Sequence, residues 1–167
     1  MNTSSSLLSL SEQVRLVQEG KISAVALVQT QLDEINRLNP LLNSFITVDA
    51  DGALEQARAI DKARENGARL GPLAGATIGV KDSIPTKGLR TTDNSRLLEN
   101  WIPQEDASTV KRLREAGAII IGKTNLNEFG WSRPSETDLM PPPWSPWNPD
   151  RMSVGSSSGS GAATTAR

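Results

Sequence analysis

The sequence lacks cysteine and histidine altogether among its 167 residues. Without cysteine it can form neither a disulfide bond nor a thiolate nucleophile or metal ligand. Without histidine it contains no Ser-His-Asp triad, no Cys-His pair and no histidine-bound zinc. An enzyme of this composition needs lysine, aspartate, glutamate or a terminal amine as its base. Because its carboxylates show no calcium-loop spacing, we expect neither a metal ion nor another cofactor.

The sequence also lacks an excess of either charge and a long apolar run. Eighteen basic and nineteen acidic residues give a net charge of -1, which favours neither nucleic acid nor an anionic membrane as a partner. No apolar stretch approaches the roughly 20 residues that span a bilayer. The first residues lack the basic end and apolar core of a secretory signal. We therefore predict a cytoplasmic protein that binds no nucleic acid directly and no membrane.

The first third of the sequence has the apolar periodicity of helices. Ser9 and Glu12 have the spacing of a capping box, which predicts a helix start. A second helix is predicted from Ser23. Pro40 is expected to end it at Asn39, because the residue before a proline avoids helical backbone angles. The remaining elements predicted in this part are a short strand at 45–48 and a third helix at 51–66.

In the middle of the sequence, small and apolar residues indicate strands. One buried strand is predicted near Thr77 to Val80, and another at Ala118 to Ile121. Between them, Asp106 is expected to cap a helix over 108–116, and Gly117 is expected to end it. A helix followed by a glycine and an apolar strand is typical of a βαβ unit, so we expect a largely parallel sheet.

The stretch GAIIIGKT, Gly117 to Thr124, matches the letters of a phosphate-binding loop. Its three isoleucines cannot form the open loop whose N–H groups cradle phosphate, and they favour a strand instead. Nucleotide binding by this stretch therefore stays only as a minor alternative.

Two stretches carry residues suited to catalysis. Lys81 leaves an apolar strand, and such a lysine is a candidate for a buried neutral base, although a solvated charge is the commoner outcome. The run VGSSSGSG, Val154 to Gly161, has the composition of a flexible linker. Together with Lys81 and the absence of histidine, it is a candidate catalytic loop.

The order of these segments resembles the amidase signature family. The combination of IGVKD at 78–82 with GSSSGSGAA at 155–163 is its most specific part. The resemblance implies an α/β fold in which helices cover a mixed β-sheet core. It also implies that residues 1–167 are the N-terminal part of one amidase domain, which is truncated here. We expect its helical opening at about 9–67, and its sheet core and catalytic-loop region at about 71–167. The stretches that carry the resemblance are Gly71 to Thr92, Asp106 to Gly130 and Asn148 to Ala163.

The resemblance also implies a Ser-cisSer-Lys triad that hydrolyses the C–N bond of a small-molecule carboxylic amide without a cofactor. Lys81 takes the place of the catalytic lysine, and Ser156 that of the serine after a cis peptide bond. Gly155 suits the tight geometry of the loop, and Ser157 and Ser158 are expected to support it by hydrogen bonds. The nucleophilic serine is expected about two dozen residues after Ser156, beyond residue 167, so we expect the chain to be inactive alone.

A loop rich in proline and tryptophan precedes this candidate catalytic loop. It contains six prolines and three tryptophans between Trp131 and Pro149, which indicate a stiff and ordered segment. We expect the part from Trp131 to Trp147 to border the substrate pocket. A proline-rich docking site for a partner protein is the alternative interpretation.

Two alternatives to a simple amidase stay open. The first is a protein like the A subunit of a glutamyl-tRNA amidotransferase, which implies amidotransferase partner subunits. The second is a non-catalytic fragment that associates, through an exposed sheet edge, with another copy of the chain as a homo-oligomer or with a full-length homologue.

Overall fold

A small mixed sheet covered by helices organises the computed structural model, which describes residues 8–131 and 138–166. The helices are α1 (Leu10–Gln18), α2 (Ala24–Leu42), α3 (Ala50–Glu65), α4 (Ser108–Glu115) and α5 (Ser158–Ala166). The strands are β1 (Phe45–Val48), β2 (Thr77–Lys81), β3 (Ile119–Thr124), β4 (Trp144–Ser145) and β5 (Asn148–Met152). Within the described ranges, no helix is both long and apolar enough to cross a membrane.

The main sheet has three strands in the order β1-β3-β2. Strand β2 pairs with β3 in parallel, and α4 lies in the connection between them, which confirms the predicted βαβ unit. Strand β1 pairs with β3 in the antiparallel sense, so the sheet is mixed and the expectation of a largely parallel sheet is wrong for this strand. In the parallel register, Val80 pairs with Lys123 and Lys81 with Thr124. The two lysines therefore lie near the same end of neighbouring strands, Lys81 as the last residue of β2 and Lys123 as the last but one of β3.

Strand β3 is the centre of the core, and all six of its residues are buried. Successive side chains of a strand point to opposite faces. Accordingly, Ile119 and Ile121 pack into a cluster with Val17, Leu27 and other residues of α1, α2 and α3. Ile120, on the other face, packs with Val80, Leu89 and Val110, the last from α4. Because Gly122, Lys123 and Thr124 continue this strand, they form no phosphate-binding loop.

The ends of α1 and α2 show where local rules hold and where tertiary contacts override them. The capping box of Ser9 and Glu12 is present, and Ser23 caps α2 as predicted. The predicted end of α2 at Asn39 is wrong, because the helix continues through Pro40 to Leu42. The Asn39 side chain accepts from the N–H of Phe45 at 2.7 Å and donates to its carbonyl at 3.0 Å. These bonds fasten the helix end to β1 and outweigh the usual bias before proline.

The predicted role of Asp106 as a helix cap is also wrong. Ala107 stands at the start of α4, and it makes no side-chain capping bond. The Asp106 carboxylate instead accepts from the N–H of Lys87 at 2.7 Å and pairs with Arg114 at 3.2 Å. It thus joins α4 to the long connection from β2.

The segment rich in proline and tryptophan contains the hairpin of β4 and β5. Trp131 and Trp147 are 82% and 86% exposed, whereas Trp144 is half-buried. Residues 132–137, including Pro134, lie outside the described residues.

Candidate active site

Lys81 and Ser156, the two predicted site residues, meet although they lie 75 positions apart. Lys81 is the last residue of β2, and its Nζ donates a hydrogen bond to Oγ of Ser156 at 2.7 Å. Both residues are partly buried. An amine and a hydroxyl at this distance are close enough for direct proton transfer.

The loop that carries Ser156 has a cis peptide bond between Gly155 and Ser156, as the family resemblance implies. A Cβ atom built on Gly155 would lie 3.1 Å from the side-chain amide of Asn127, so a larger residue would have to displace that amide. Ser157 is exposed, and its carbonyl accepts from the N–H of Gly161 at 3.0 Å. The loop thus lies between the side chain of Asn127 and the start of α5.

Ser158 is fully buried at the start of α5. Its carbonyl accepts from the hydroxyl of Ser153 at 2.9 Å, which fastens the strand that enters the loop. Its own Oγ has no hydrogen-bond partner among the described residues. In this part of the chain, Ser158 therefore supports the loop through its main-chain carbonyl and not through its hydroxyl.

Helix α5 packs directly against the end of β3. The N–H of Gly159 donates to the carbonyl of Asn125 at 2.9 Å. A Cβ atom on Gly159 would overlap the backbone N of Asn125 and the carbonyl oxygen of Ser44. At the next residue, the hydroxyls of Ser160 and Thr124 are 2.7 Å apart. Close backbone packing therefore fixes the helix that follows Ser156.

A short 3-10 turn at Glu128–Gly130 forms a wall beside the lysine–serine pair. A Cβ atom on Gly130 would lie 3.8 Å from Oγ of Ser156 and 3.9 Å from Nζ of Lys81. The backbone at Gly130 has a φ of 66°, which favours glycine. The sequence analysis missed this residue, because nothing in the sequence indicates that the turn folds back onto the site.

A fully buried ion pair lies next to this site. Lys123 and Asp82 are both 0% exposed, and Nζ of Lys123 lies 3.6 Å from Oδ1 of Asp82. The same Nζ donates to the carbonyl of Ile84 at 2.7 Å and to the hydroxyl of Thr91 at 2.6 Å. Oδ2 of Asp82 accepts from the N–H of Thr92 at 2.8 Å and from its hydroxyl at 2.5 Å. Burial lowers the pKa of Lys123 to about 8, and the attraction of Asp82 opposes this shift.

Asp93 lies between Asp82 and the turn at Glu128–Gly130. Its N–H donates to the carbonyl of Asp82 at 3.2 Å, and its carbonyl accepts from the N–H of Phe129 at 3.0 Å. Burial raises the pKa of Asp93, and repulsion from Asp82 raises it further, while the charge of Lys81 acts in the opposite direction. The sequence analysis assigned no role to Lys123, Asp82 or Asp93.

Two other features lie apart from the lysine–serine pair. A cavity of about 410 Å³ runs between α2, the sheet and α5, and neither Lys81 nor Ser156 lines it. Its walls include Gln31, Phe45 and Thr124. Within residues 8–131 and 138–166, no three acidic side chains come together in an arrangement that could hold a metal ion.

Comparisons with known proteins agree on one family. Residues 26–167 match the amidase family. The chain is 42% identical over 155 residues to the A subunit of glutamyl-tRNA(Gln) amidotransferase from Acidothermus cellulolyticus, a match that covers 93% of this chain and 31% of that protein. A solved bacterial aryl acylamidase of the amidase signature family is 27% identical with a TM-score of 0.87, over 93% of this chain and 32% of the other.

A second solved structure, the A subunit of glutamyl-tRNA(Gln) amidotransferase from Thermotoga maritima, is 34% identical with a TM-score of 0.78. That match covers 99% of this chain and 33% of the other. The chain thus spans about a third of the length of the relatives that it matches.

Proposed function

Because the chain belongs to the amidase family, we propose that it supplies the lysine and the bridging serine of a site that hydrolyses carboxylic amides. The observation that carries this proposal is the 2.7 Å contact between Nζ of Lys81 and Oγ of Ser156, directly after the cis bond. A lysine base also suits a sequence that has no histidine. The family that the comparisons identify is the one that the sequence was predicted to resemble.

The proposed chemistry is an acyl transfer. Neutral Lys81 accepts the proton of the Ser156 hydroxyl, and Ser156 in turn accepts a proton from the nucleophilic serine. That serine forms a bond to the amide carbon, and the C–N bond breaks as the leaving nitrogen receives a proton. Water then attacks the acyl ester and releases the acid. The resemblance assigns the nucleophile to a serine about two dozen residues beyond Ser156.

A second candidate function is that of an amidotransferase A subunit. It is favoured by the 42% identity to the Acidothermus cellulolyticus protein and the 34% identity to the Thermotoga maritima protein, both of that name. This function adds partner subunits and a tRNA-linked substrate to the same lysine–serine chemistry. Hydrolysis of simple amides by the purified protein, without other subunits, favours the first candidate; amide hydrolysis that requires added subunits favours the second.

The proposal is tested by Lys81→Ala and Ser156→Ala in the complete protein. Each change removes one step of the proton transfer, so we expect kcat for amide hydrolysis to fall by at least about a thousandfold. Lys111→Ala, at an exposed position on α4, is the matched control and should keep the normal rate. Normal rates in both site variants, with folding verified by circular dichroism, would show that the assignment is wrong.

A further inference from the structure

Gly130 contributes no side chain to the wall beside the lysine–serine pair. Among the described residues, the three atoms nearest to a Cβ built on Gly130 belong to Ser156 and Lys81, at 3.8 to 3.9 Å. These are ordinary van der Waals distances, whereas a Cβ on Gly117 or Gly159 would lie 3.2 Å or less from backbone atoms. Glycine at 130 therefore leaves room for a small group directly beside the pair, which we call the space over Gly130.

The residues on both sides of Gly130 are aromatic and exposed. Phe129 and Trp131 lie about 3.8 Å from Gly130, measured between Cα atoms. Phe129 has a φ of 53°, in the left-handed region that residues other than glycine seldom adopt and that recurs at ligand sites. Small-molecule sites are lined mostly by apolar side chains. The space over Gly130 thus lies next to apolar surface that the described residues leave open.

The proposed reaction places one part of an amide near this space. The proton that leaves the nucleophile passes through Ser156 to Lys81, and it returns by the same route to the leaving nitrogen as the C–N bond breaks. A proton donor acts within about 2.6–3.2 Å of the atom that it protonates. The leaving nitrogen therefore comes close to Oγ of Ser156, which is 3.8 Å from the centre of the space over Gly130. A group the size of a benzyl ring on this nitrogen can reach that space.

We propose that the space over Gly130 receives an apolar substituent on the leaving nitrogen, so that the site acts on secondary amides. Gly130 is then a specificity-determining residue. A primary amide carries only hydrogen on its nitrogen and leaves this space unfilled. The inference rests on the proposed function, because that function supplies the proton route through Ser156.

Two isomeric substrates test the inference in the complete protein. N-benzylacetamide carries its ring on the leaving nitrogen, whereas 3-phenylpropanamide carries the same atoms on the acyl side. We expect the wild-type protein to hydrolyse N-benzylacetamide. In Gly130→Leu the new side chain fills the space, so kcat/KM for N-benzylacetamide should fall at least about tenfold, while kcat/KM for the isomer should stay within about threefold.

The matched control for backbone strain is Gly67→Leu. Gly67 has a φ of 69°, close to the 66° of Gly130, and a Cβ built on it meets no described atom within 4 Å. This variant places a leucine in the same left-handed conformation away from the site, so both rates should stay at their wild-type values. If Gly130→Leu does not fold, Gly130→Ala takes its place. Its methyl group should lower kcat/KM for N-benzylacetamide, relative to the isomer, by at least about threefold.

Three results would overturn the inference. One is an equal loss for both isomers in Gly130→Leu, which indicates a general disturbance of the lysine–serine pair. Another is an unchanged rate for N-benzylacetamide in that variant. The third is a wild-type protein that hydrolyses the primary amide and not the secondary one.

Equilibrium binding of N-benzylacetamide, measured by isothermal titration calorimetry, separates this inference from the proposed function. If the wild-type protein binds N-benzylacetamide without hydrolysing either isomer, and Gly130→Leu weakens binding at least about tenfold, the proposed function fails and the space over Gly130 stands as a binding site. If the wild-type protein hydrolyses amides and Gly130→Leu leaves both binding and rate unchanged, only the inference fails. A protein that neither binds nor hydrolyses N-benzylacetamide contradicts the inference.

Discussion

Two lysines lie near the same end of neighbouring parallel strands, yet their surroundings are opposite. Lys81 is partly buried and contacts a neutral hydroxyl, that of Ser156. Lys123 is fully buried and contacts a carboxylate, that of Asp82. Each lies in an apolar strand, one or two residues after a glycine, so the local sequences are similar. The comparison teaches that the surroundings of a lysine are set by the partner that the fold brings to it rather than by the strand that carries it.

The stability of variants gives the largest expected contrast between the two lysines. Lys123→Ala leaves the carboxylate of Asp82 buried without its cation, so we expect the free energy of unfolding to fall by about 3–5 kcal/mol. Lys81→Ala removes one hydrogen bond at a partly exposed site, and about 1 kcal/mol is expected. Urea denaturation of both variants measures the difference. Equal losses would contradict the distinction between the two sites.

Two glycines of α5 test whether the position of Ser156, the partner of Lys81, depends on the packing of α5 against β3, the strand that contains Lys123. In Gly159→Ala the added methyl group would overlap the backbone of Asn125 and Ser44, so we expect a loss of about 1–3 kcal/mol and a weakened contact between Lys81 and Ser156. In the matched control Gly161→Ala the new atom meets only the Ser153 hydroxyl at 3.4 Å.

Because alanine suits a helix better than glycine, that control should gain about 0.5–1 kcal/mol. Thermal unfolding of both variants checks the prediction. If Gly159→Ala is as stable as Gly161→Ala, the packing of α5 on β3 is looser than described.

Per pH unit, the pH dependence of stability gives the smallest of the expected effects. Because the pKa of Lys123 is about 8 in the folded protein, below its ordinary value of 10.5, the unfolded chain binds one more proton between these pH values. The free energy of unfolding should therefore rise with pH across this window, by at most about 1.4 kcal/mol per pH unit, and Lys123 adds no slope well below pH 8.

Chemical denaturation of the wild-type protein and of Lys123→Met, at several pH values, isolates this contribution. The difference between the two should grow from pH 8 to 10.5. A constant difference would mean that Lys123 titrates alike in both states.

Local patterns in the sequence predict much of the fold. The strand at 45–48 is confirmed, the helix predicted at 51–66 lies within one residue of α3, and the capping box of Ser9 is present. The continuation of α2 through Pro40 was not predictable, because it depends on the bonds between Asn39 and Phe45 across a turn. The prediction that Asp106 caps a helix failed for a similar reason. Its carboxylate binds Arg114 and the N–H of Lys87, and neither contact can be read from the local sequence.

The candidate site was predictable only where a motif carried it. Lys81 and Ser156 stand out because two short motifs occur together, and their roles stay proposals. The burial of Lys123 was not predicted, because the predicted strand stopped at Ile121 and the hydrogen-bond partners of Lys123 lie 32 to 39 positions away in a connection without periodicity. The division of the chain into a helical opening and a sheet core at about residue 70 stays a prediction.

The 75 positions between Lys81 and Ser156 also have a consequence in time. At a synthesis rate of about 5–20 residues per second, roughly 4–15 s pass on the ribosome before Lys81 can meet its serine. Asp82, Ile84 and Thr91 all precede Lys123 in the chain, so the buried ion pair can close as soon as β3 emerges. The order of synthesis thus allows the pair of Lys123 and Asp82 to form before the loop that carries Ser156 has been made.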